Sequence, residues 1–432
     1  MQIGRLCLLV LCVVLQGCGG GKARNAGQIV LKFSTWGSPE EMTINRRIID
    51  AFMSENPDIY VDIMHIPSSQ YNTKLQILQA ARVAPDVMWL NAWNAYTLYR
   101  NNRLLPLNGF IEEERKTNPE FLREPDSLVT HIESSYCYKG EYFLSPLGPV
   151  TYHLYYNKNL FDEENLAYPD ETWDWDMLAA AAARLSRFRG DTPIQFGIHF
   201  HNWWGAWINF VWQNDGLLFD RMVDPTQCLI ETAEAREALQ FLHDLIYVQR
   251  AAPSPTQMSL LGGDFMTGKV AMQLQGSWMT EQYRYIEDFE WDMAPLPRRK
   301  QQAVGVRVCG HGIRRDTKYP EAAWRLVRFY QTERAQRLMG DFALWIPTRE
   351  AWALDPEFWH PAGVPPDHAR KRVEDIKRGR PGDLLDVAAT RICETIIPME
   401  LDPFWLNKET LEECVARITP QVNAILAERT GN

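Results

Sequence analysis

The chain has 432 residues, 46% hydrophobic and 23% charged, with a formal net charge of −10. This is the composition of a globular protein of roughly three domains at about 150 residues each, long enough to bury its own cores without metal or disulfide staples. The acidic balance excludes a nucleic-acid phosphate backbone as partner. Tryptophan is unusually abundant, 16 beside 16 Tyr and 18 Phe. That excess suits a ligand site built on ring faces, although a single Trp more often serves a core.

The N-terminus points to export. Arg5 precedes ten apolar residues, Leu6 to Leu15, a run too short to span a bilayer and of the length of a signal-peptide core. Leu15-Gln16-Gly17-Cys18 resembles a bacterial lipobox, which implies cleavage after residue 17 and a lipid on Cys18. Residues 18–28, glycine-rich at first, then read as a flexible tether. Cys137, Cys228, Cys309, Cys393 and Cys414 remain, widely spaced and without a C-x-x-C pair. No zinc or redox motif follows from them. One or two disulfides are compatible with export, but the spacing assigns no pairing.

Ile29–Thr35 predicts a short buried strand. Ser38-Pro39-Glu40-Glu41 then combines a capping box with proline at the first helical position. Ile44, Ile48, Ala51 and Phe52 recur at helical spacing until Asn56-Pro57 ends the helix. Ile59, Val61 and Ile63 alternate as a second strand, residues 71–82 predict another helix, and Asp86–Leu90 a third strand. Alternating strands and helices predict a parallel sheet covered by helices, with ligand beyond the carboxyl ends of its strands. Two such ends, Trp36-Gly37-Ser38 and Asn91-Ala92-Trp93-Asn94, carry polar groups and a Trp.

Several ordered segments share one pattern: Phe33-Ser34-Thr35-Trp36-Gly37, Phe52-Met53-Ser54-Glu55-Asn56-Pro57, Ala84-Pro85-Asp86-Val87, Leu154-Tyr155-Tyr156-Asn157-Lys158, Phe265-Met266-Thr267-Gly268-Lys269-Val270-Ala271-Met272, Gly276-Ser277-Trp278 and Ala294-Pro295-Leu296-Pro297. Together they resemble the extracellular solute-binding proteins of ABC importers, sugar-binding family 1, over nearly all of residues 29–350. The resemblance implies an α/β, two-lobed periplasmic-binding-protein fold (type II-like), with mostly parallel sheets flanked by helices and ligand in the cleft. It places residues 29–145 with 298–345 in one lobe and 146–297 with 346–432 in the other. The chain crossings then fall near Ser145-Pro146, Pro295-Leu296-Pro297 and Leu344–Thr348. Arg82-Val83, Asn91 and Ser277 depart from the usual Gly-Thr, Asp and Pro, which bears on which ligand is bound. Residues 360–383, rich in Pro, Gly and basic side chains, match nothing in the pattern and read as a loop or insertion.

A sugar presents hydroxyls and an apolar C–H face, so its site requires a stacking ring beside amides, carboxylates or backbone groups. The resemblance assigns the stacking role to Trp278. Trp36, Ser38, Asn91, Trp93 and Asn94 at the strand ends are further candidates. So is one of Trp203 or Trp204 in the run Asn202–Trp207, whose helix is otherwise apolar enough to be core. Gly310-His311-Gly312 follows a predicted strand, which makes Gly310 and His311 candidates through close backbone approach.

Enzyme signatures are weak. Gly263–Lys269 has P-loop spacing, but Val270 replaces the hydroxyl that Mg²⁺ requires. His199 and His201 lack an evident third metal ligand. Neither cofactor nor metal is expected. The expectation is a monomeric, lipid-anchored receptor on the outer face of a bacterial membrane that delivers a carbohydrate to an ABC permease. A binder of another polar ligand, such as a glycerophosphodiester, and a surface carbohydrate-active enzyme are the alternatives.

Overall fold

The computed structural model describes residues 25–119, 121–122, 127–340, 345–360, 363 and 365–430. The signal segment, Cys18 and the first part of the tether lie outside the described residues. The first βαβ unit follows the predicted spacing: β1 (Ile29–Thr35), α1 (Pro39–Glu55), β2 (Ile59–His65), α2 (Ser68–Ala80), β3 (Val87–Asn91) and α3 (Ala92–Arg100). The capping box at the start of α1 is formed in both directions. The Glu41 amide donates to Ser38 Oγ at 3.2 Å, and the Ser38 amide donates to Glu41 Oε2 at 2.7 Å. Ile44, Ile48, Ala51 and Phe52 face inward, as the helical period requires.

Two mixed sheets form the two lobes. In the first, β1 pairs in parallel with β2 and β3, while strand Gly305–Ile313 runs antiparallel to β3 and to strand Ser145–Val150. The second sheet is ordered Trp291–Ala294, Tyr152–Asn157, Val270–Gly276, Thr192–Phe200, Arg187–Arg189. Parallel pairing is therefore confined to part of each sheet, and antiparallel strands enter where the chain returns from the opposite lobe. Helix Trp204–Gln213 is buried along its whole length, consistent with a helix apolar on all sides.

The crossings fall later in the chain than the expected positions. Ser145–Val150 still belongs to the first sheet, and Thr151 alone separates it from the second. The return is complete at Gly305, because Leu296, Ala303 and Val304 still pack in the second lobe's core. Over residues 346–376, the core side chains expected in the second lobe pack in the first. Ile346, Phe358, Trp359, Val373 and Ile376 pack with Leu90, Tyr96 and Leu104 of the first. Leu384 and, from Ala389 onward, the apolar residues of the C-terminal region pack in the second lobe's core. The reason is local: the stretch expected to be a loop contains an amphipathic helix, Lys371–Arg378, whose apolar face covers the first sheet.

The five cysteines among the described residues are free thiols; Cys228, Cys393 and Cys414 are buried.

Candidate functional site

Strand Gly305–Ile313 carries one arginine in an otherwise apolar run, and the fold places it at the junction of the lobes. Arg307 is 5% exposed, and its Nη1 donates to Asp383, itself 1% exposed. The guanidinium lies 4.7 Å from the ring centroids of both Trp203 and Trp204. A planar, weakly hydrated cation over aromatic faces gains from the ring quadrupole while remaining free to hydrogen-bond at its edges. Gly205 is required here, because a Cβ would meet the Trp203 ring at 2.4 Å and Arg307 Nη2 at 2.5 Å. Among the described residues, Arg307 Nη2 and Asp383 Oδ2 find no hydrogen-bond partner. Burial pushes the Asp383 carboxyl above its ordinary range, against the opposing pull of Arg307.

Glu394 completes this cluster. It stands on a π-helical turn, Ile392–Ile396, a form that recurs at functional positions. Its Oε1 accepts the indole N–H of Trp203 and of Trp204, each at 3.1 Å, and its side chain is otherwise exposed. Tyr152, the first residue of the second sheet, links this group to Trp278: its ring lies 6.4 Å from Trp203 and 5.4 Å, edge to face, from Trp278. Trp278 packs against the cores of both lobes. Gly276 makes room for it, since a Cβ there would meet the indole at 2.1 Å. Aromatic faces thus run from Trp278 through Tyr152 to Trp203, with buried charge at one end.

Across the junction, Trp36 is wedged edge-on against Trp89 (3.6 Å between centroids) and Tyr71 (4.5 Å). It shares the lining of a small cavity with Glu41 and Trp345. Asn91 is 8% exposed and its Oδ1 accepts no hydrogen bond from the described residues. It registers opposite Cys309, which lies within electrostatic reach of Arg307, Asp383 and Glu41. Trp93 packs against both lobes, and its buried Nε1 has no partner among the described residues.

Three candidates have structural work instead. Ser38 spends its hydroxyl oxygen on the α1 cap. A Cβ on Gly310 would meet the Ser145 carbonyl at 2.1 Å, so its missing side chain admits a neighbouring strand, not a ligand. His311 is 0% exposed between Phe33 and Tyr330, and burial pushes its imidazole down to about 3. It is a neutral core residue. Asn94 donates to Asn72 Oδ1 at 2.7 Å. Trp203 and Trp204, posed as alternatives, share the same two partners, Arg307 and Glu394.

Sequence reasoning missed Tyr152, Arg307, Asp383 and Glu394. A lone charge inside an apolar strand was the available signal for Arg307. Asp383 lies in the stretch that matched no pattern, and Glu394 had no local signal at all.

Residues 36–337 match the family described as bacterial extracellular solute-binding protein. The chain belongs to that family. It is 25% identical over 194 residues to the melibiose/raffinose/stachyose-binding protein MelE of Bacillus subtilis, covering 44% of this chain and 42% of that protein. It is 27% identical over 167 residues to the multiple sugar-binding protein of Streptococcus mutans, covering 38% and 36%. These matches therefore span about two fifths of the length of those relatives. An ABC substrate-binding protein from Listeria monocytogenes, in complex with cycloalternan, has the same fold with a TM-score of 0.83 and 23% identity, covering 93% of this chain and 99% of that one. The maltose-bound MalE3 of T. maritima superposes with a TM-score of 0.77 at 19% identity, covering 92% and 99%. Asp383 and Glu394 lie beyond the family-matched residues.

Proposed function

We propose that this solute-binding protein captures a carbohydrate outside the membrane and hands it, unaltered, to the permease of an ABC importer. The observation that carries this reading is the row Trp278, Tyr152 and Trp203 beside Arg307, with its unpaired N–H, and Asp383, with its unpaired oxygen. Ring faces take the C–H side of a pyranose, and a donor beside an acceptor suits neighbouring hydroxyls. The relatives named for melibiose, raffinose and multiple sugars support the same ligand class. Asp383 and Glu394 beside the single arginine of this cluster disfavour a phosphodiester, by like-charge repulsion.

Ligand capture would draw the two lobes together, because the aromatic row belongs to one lobe and Arg307 to the other, and a ligand touching both favours the closed arrangement. The lipobox at Cys18 supports a receptor tethered to the outer face of a bacterial membrane. Thermal-shift screening of the purified protein against a sugar library tests the reading. A ligand that binds only the native state raises the melting temperature. Absence of any sugar-dependent shift, or release of a cleaved product from a bound glycan, overturns it.

A further inference from the structure

Away from the lobe junction, one concave patch of the first lobe gathers cations that the fold leaves unused. The turn after α2, the turn after α3 and the end of strand Gly305–Ile313 meet around a cavity of about 270 Å³, and Arg82, Arg103, Arg314, Arg315 and Asp316 are among its lining. Main-chain bonds fix these segments together: the Arg315 amide donates to the Arg103 carbonyl at 2.9 Å, and the Arg314 amide to the Asp86 carbonyl at 2.9 Å. Arg314 is neutralised, with Nη2 3.0 Å from Asp86 Oδ1 and Nε 3.5 Å from Asp316 Oδ1. Asp86 also accepts from the Lys32 amide and the Thr317 hydroxyl, so its charge is already shared. Arg82, Arg103 and Arg315 are exposed, and among the described residues their guanidiniums have no hydrogen bond, ion pair or ring contact. Arg82 holds φ +56°, a conformation that strains an L side chain but not glycine, so the backbone does not call for arginine there. Beside it Val83 is 52% exposed, and Ile77 in the last turn of α2 is 62% exposed. Cations flanked by bare aliphatic side chains suit the interface of an anionic bilayer, where phosphate and acyl chain adjoin.

The patch also stands at the tethered end of the lobe. β1 and β3 are parallel, with Phe33 opposite Val87, so Arg82 ahead of β3 lies at the same end of the sheet as Ile29, where the tether enters. Trp36 and Asn91 lie at the opposite ends of those strands. Residues 18–28 can reach at most about 35 Å from Cys18. A lipid on Cys18 therefore keeps this end of the lobe close to the membrane. A permease that senses closure must touch both lobes, whereas this patch belongs to the first alone.

We propose that Arg82, Arg103 and Arg315 bind the phosphates of anionic phospholipids in the membrane that carries the anchor, with Val83 at the acyl boundary. The assignment rests on the lipid-anchor reading of Cys18 and adds an orientation to it. On a chain of net charge −10, most of the surface is repelled by such a membrane, which favours turning this face toward it.

The test is arginine footprinting of the full lipid-bearing protein with phenylglyoxal, read by mass spectrometry, on vesicles of phosphatidylcholine alone or mixed two to one with phosphatidylglycerol. On the anionic vesicles, modification of Arg82, Arg103 and Arg315 should slow about fivefold or more relative to the neutral ones. Raised salt should restore the rates. Arg189, exposed on the second lobe, is the internal control and should react equally on both. Arg82→Gly with Arg315→Ala should abolish the protection of Arg103, and melting curves verify that this variant folds. Equal rates at the three arginines on both vesicles, equal slowing of Arg189, or protection of Arg103 that survives the two substitutions overturns this inference and leaves the anchor standing. Equal protection by inorganic phosphate without vesicles also overturns it, in favour of a free anion. Failure of the protein to enter neutral vesicles overturns the anchor reading, and failure on both kinds overturns the two together.

Discussion

Glu394 accepts the indole N–H of Trp203 at 3.1 Å, across 191 residues of chain. Because the same carboxylate also takes the Trp204 N–H at 3.1 Å, one acid orients two rings over the Arg307 guanidinium. Groups held this way before ligand arrives lose less entropy on binding. Glu394→Ala releases both rings. We expect a three- to tenfold loss of sugar affinity, with stability lowered by about 1–2 kcal/mol. Calorimetry and urea denaturation on the same preparation measure the two effects.

Arg307→Met leaves Asp383 as an uncompensated buried carboxylate. The expected cost is about 3–5 kcal/mol of folding stability, whereas Arg307→Met with Asp383→Leu recovers most of it, because an apolar pair carries no desolvation penalty. Both variants should lose sugar binding. Urea midpoints for the single and double variants decide this: equal destabilisation would mean that the ion pair is not what the substitution breaks.

Trp278→Ala should weaken binding by about 1–3 kcal/mol, ten- to a hundredfold. Gly276→Ala offers an independent check, since a Cβ would meet the indole at 2.1 Å and displace the ring without removing it. Affinity and ligand-free melting temperature, measured on both variants, distinguish a contact from a core residue. Intact affinity in the folded fraction, with a large drop in melting temperature, would assign Trp278 to the core alone.

Glu281 makes ligand-free stability fall as pH rises. Burial, with Glu41 and Glu40 adding to it, pushes its carboxyl up to about 7 from an ordinary value of 4.5. The native state therefore holds a proton that the unfolded chain has released over that window. This contribution is complete below about pH 4.5 and is lost as pH rises through about 7. Melting temperature should decline between pH 5 and pH 8, and Glu281→Gln should flatten the decline and raise the value at pH 8. Glu41, also shifted upward by burial, acts in the same direction. A Glu281→Gln profile parallel to that of the unaltered protein would contradict this assignment.

Cys18→Ala should move the protein from the membrane fraction to the soluble one, since the lipid is its proposed anchor. Fractionation followed by immunoblotting reads this directly. Undiminished membrane retention would rule out a lipid on Cys18.

The first βαβ unit was legible residue by residue because its signals are local. The Ser38–Glu41 box, the spacing from Ile44 to Phe52 and the alternation Ile59, Val61, Ile63 each act within a few positions of the chain. The aromatic candidates were legible only as types. Helix Trp204–Gln213 reads as core in sequence and is core, yet Trp204, its first residue, also lies beneath Arg307. His311 and Gly310 carried a site-like pattern, but His311 packs into the first lobe's core and Gly310 abuts the Ser145 backbone.

What the sequence by itself determined was the order of secondary structure, the family resemblance and the apolar surface each element must bury, since these follow from propensity, period and capping over short spans. Tertiary structure alone decided which polar groups meet. Arg307, Asp383 and Glu394 come from three separate parts of the chain and meet at the lobe junction. Their interaction falls off with distance in space, not along the chain, and its strength depends on the exclusion of water. Both quantities exist only once the two lobes have folded and come together.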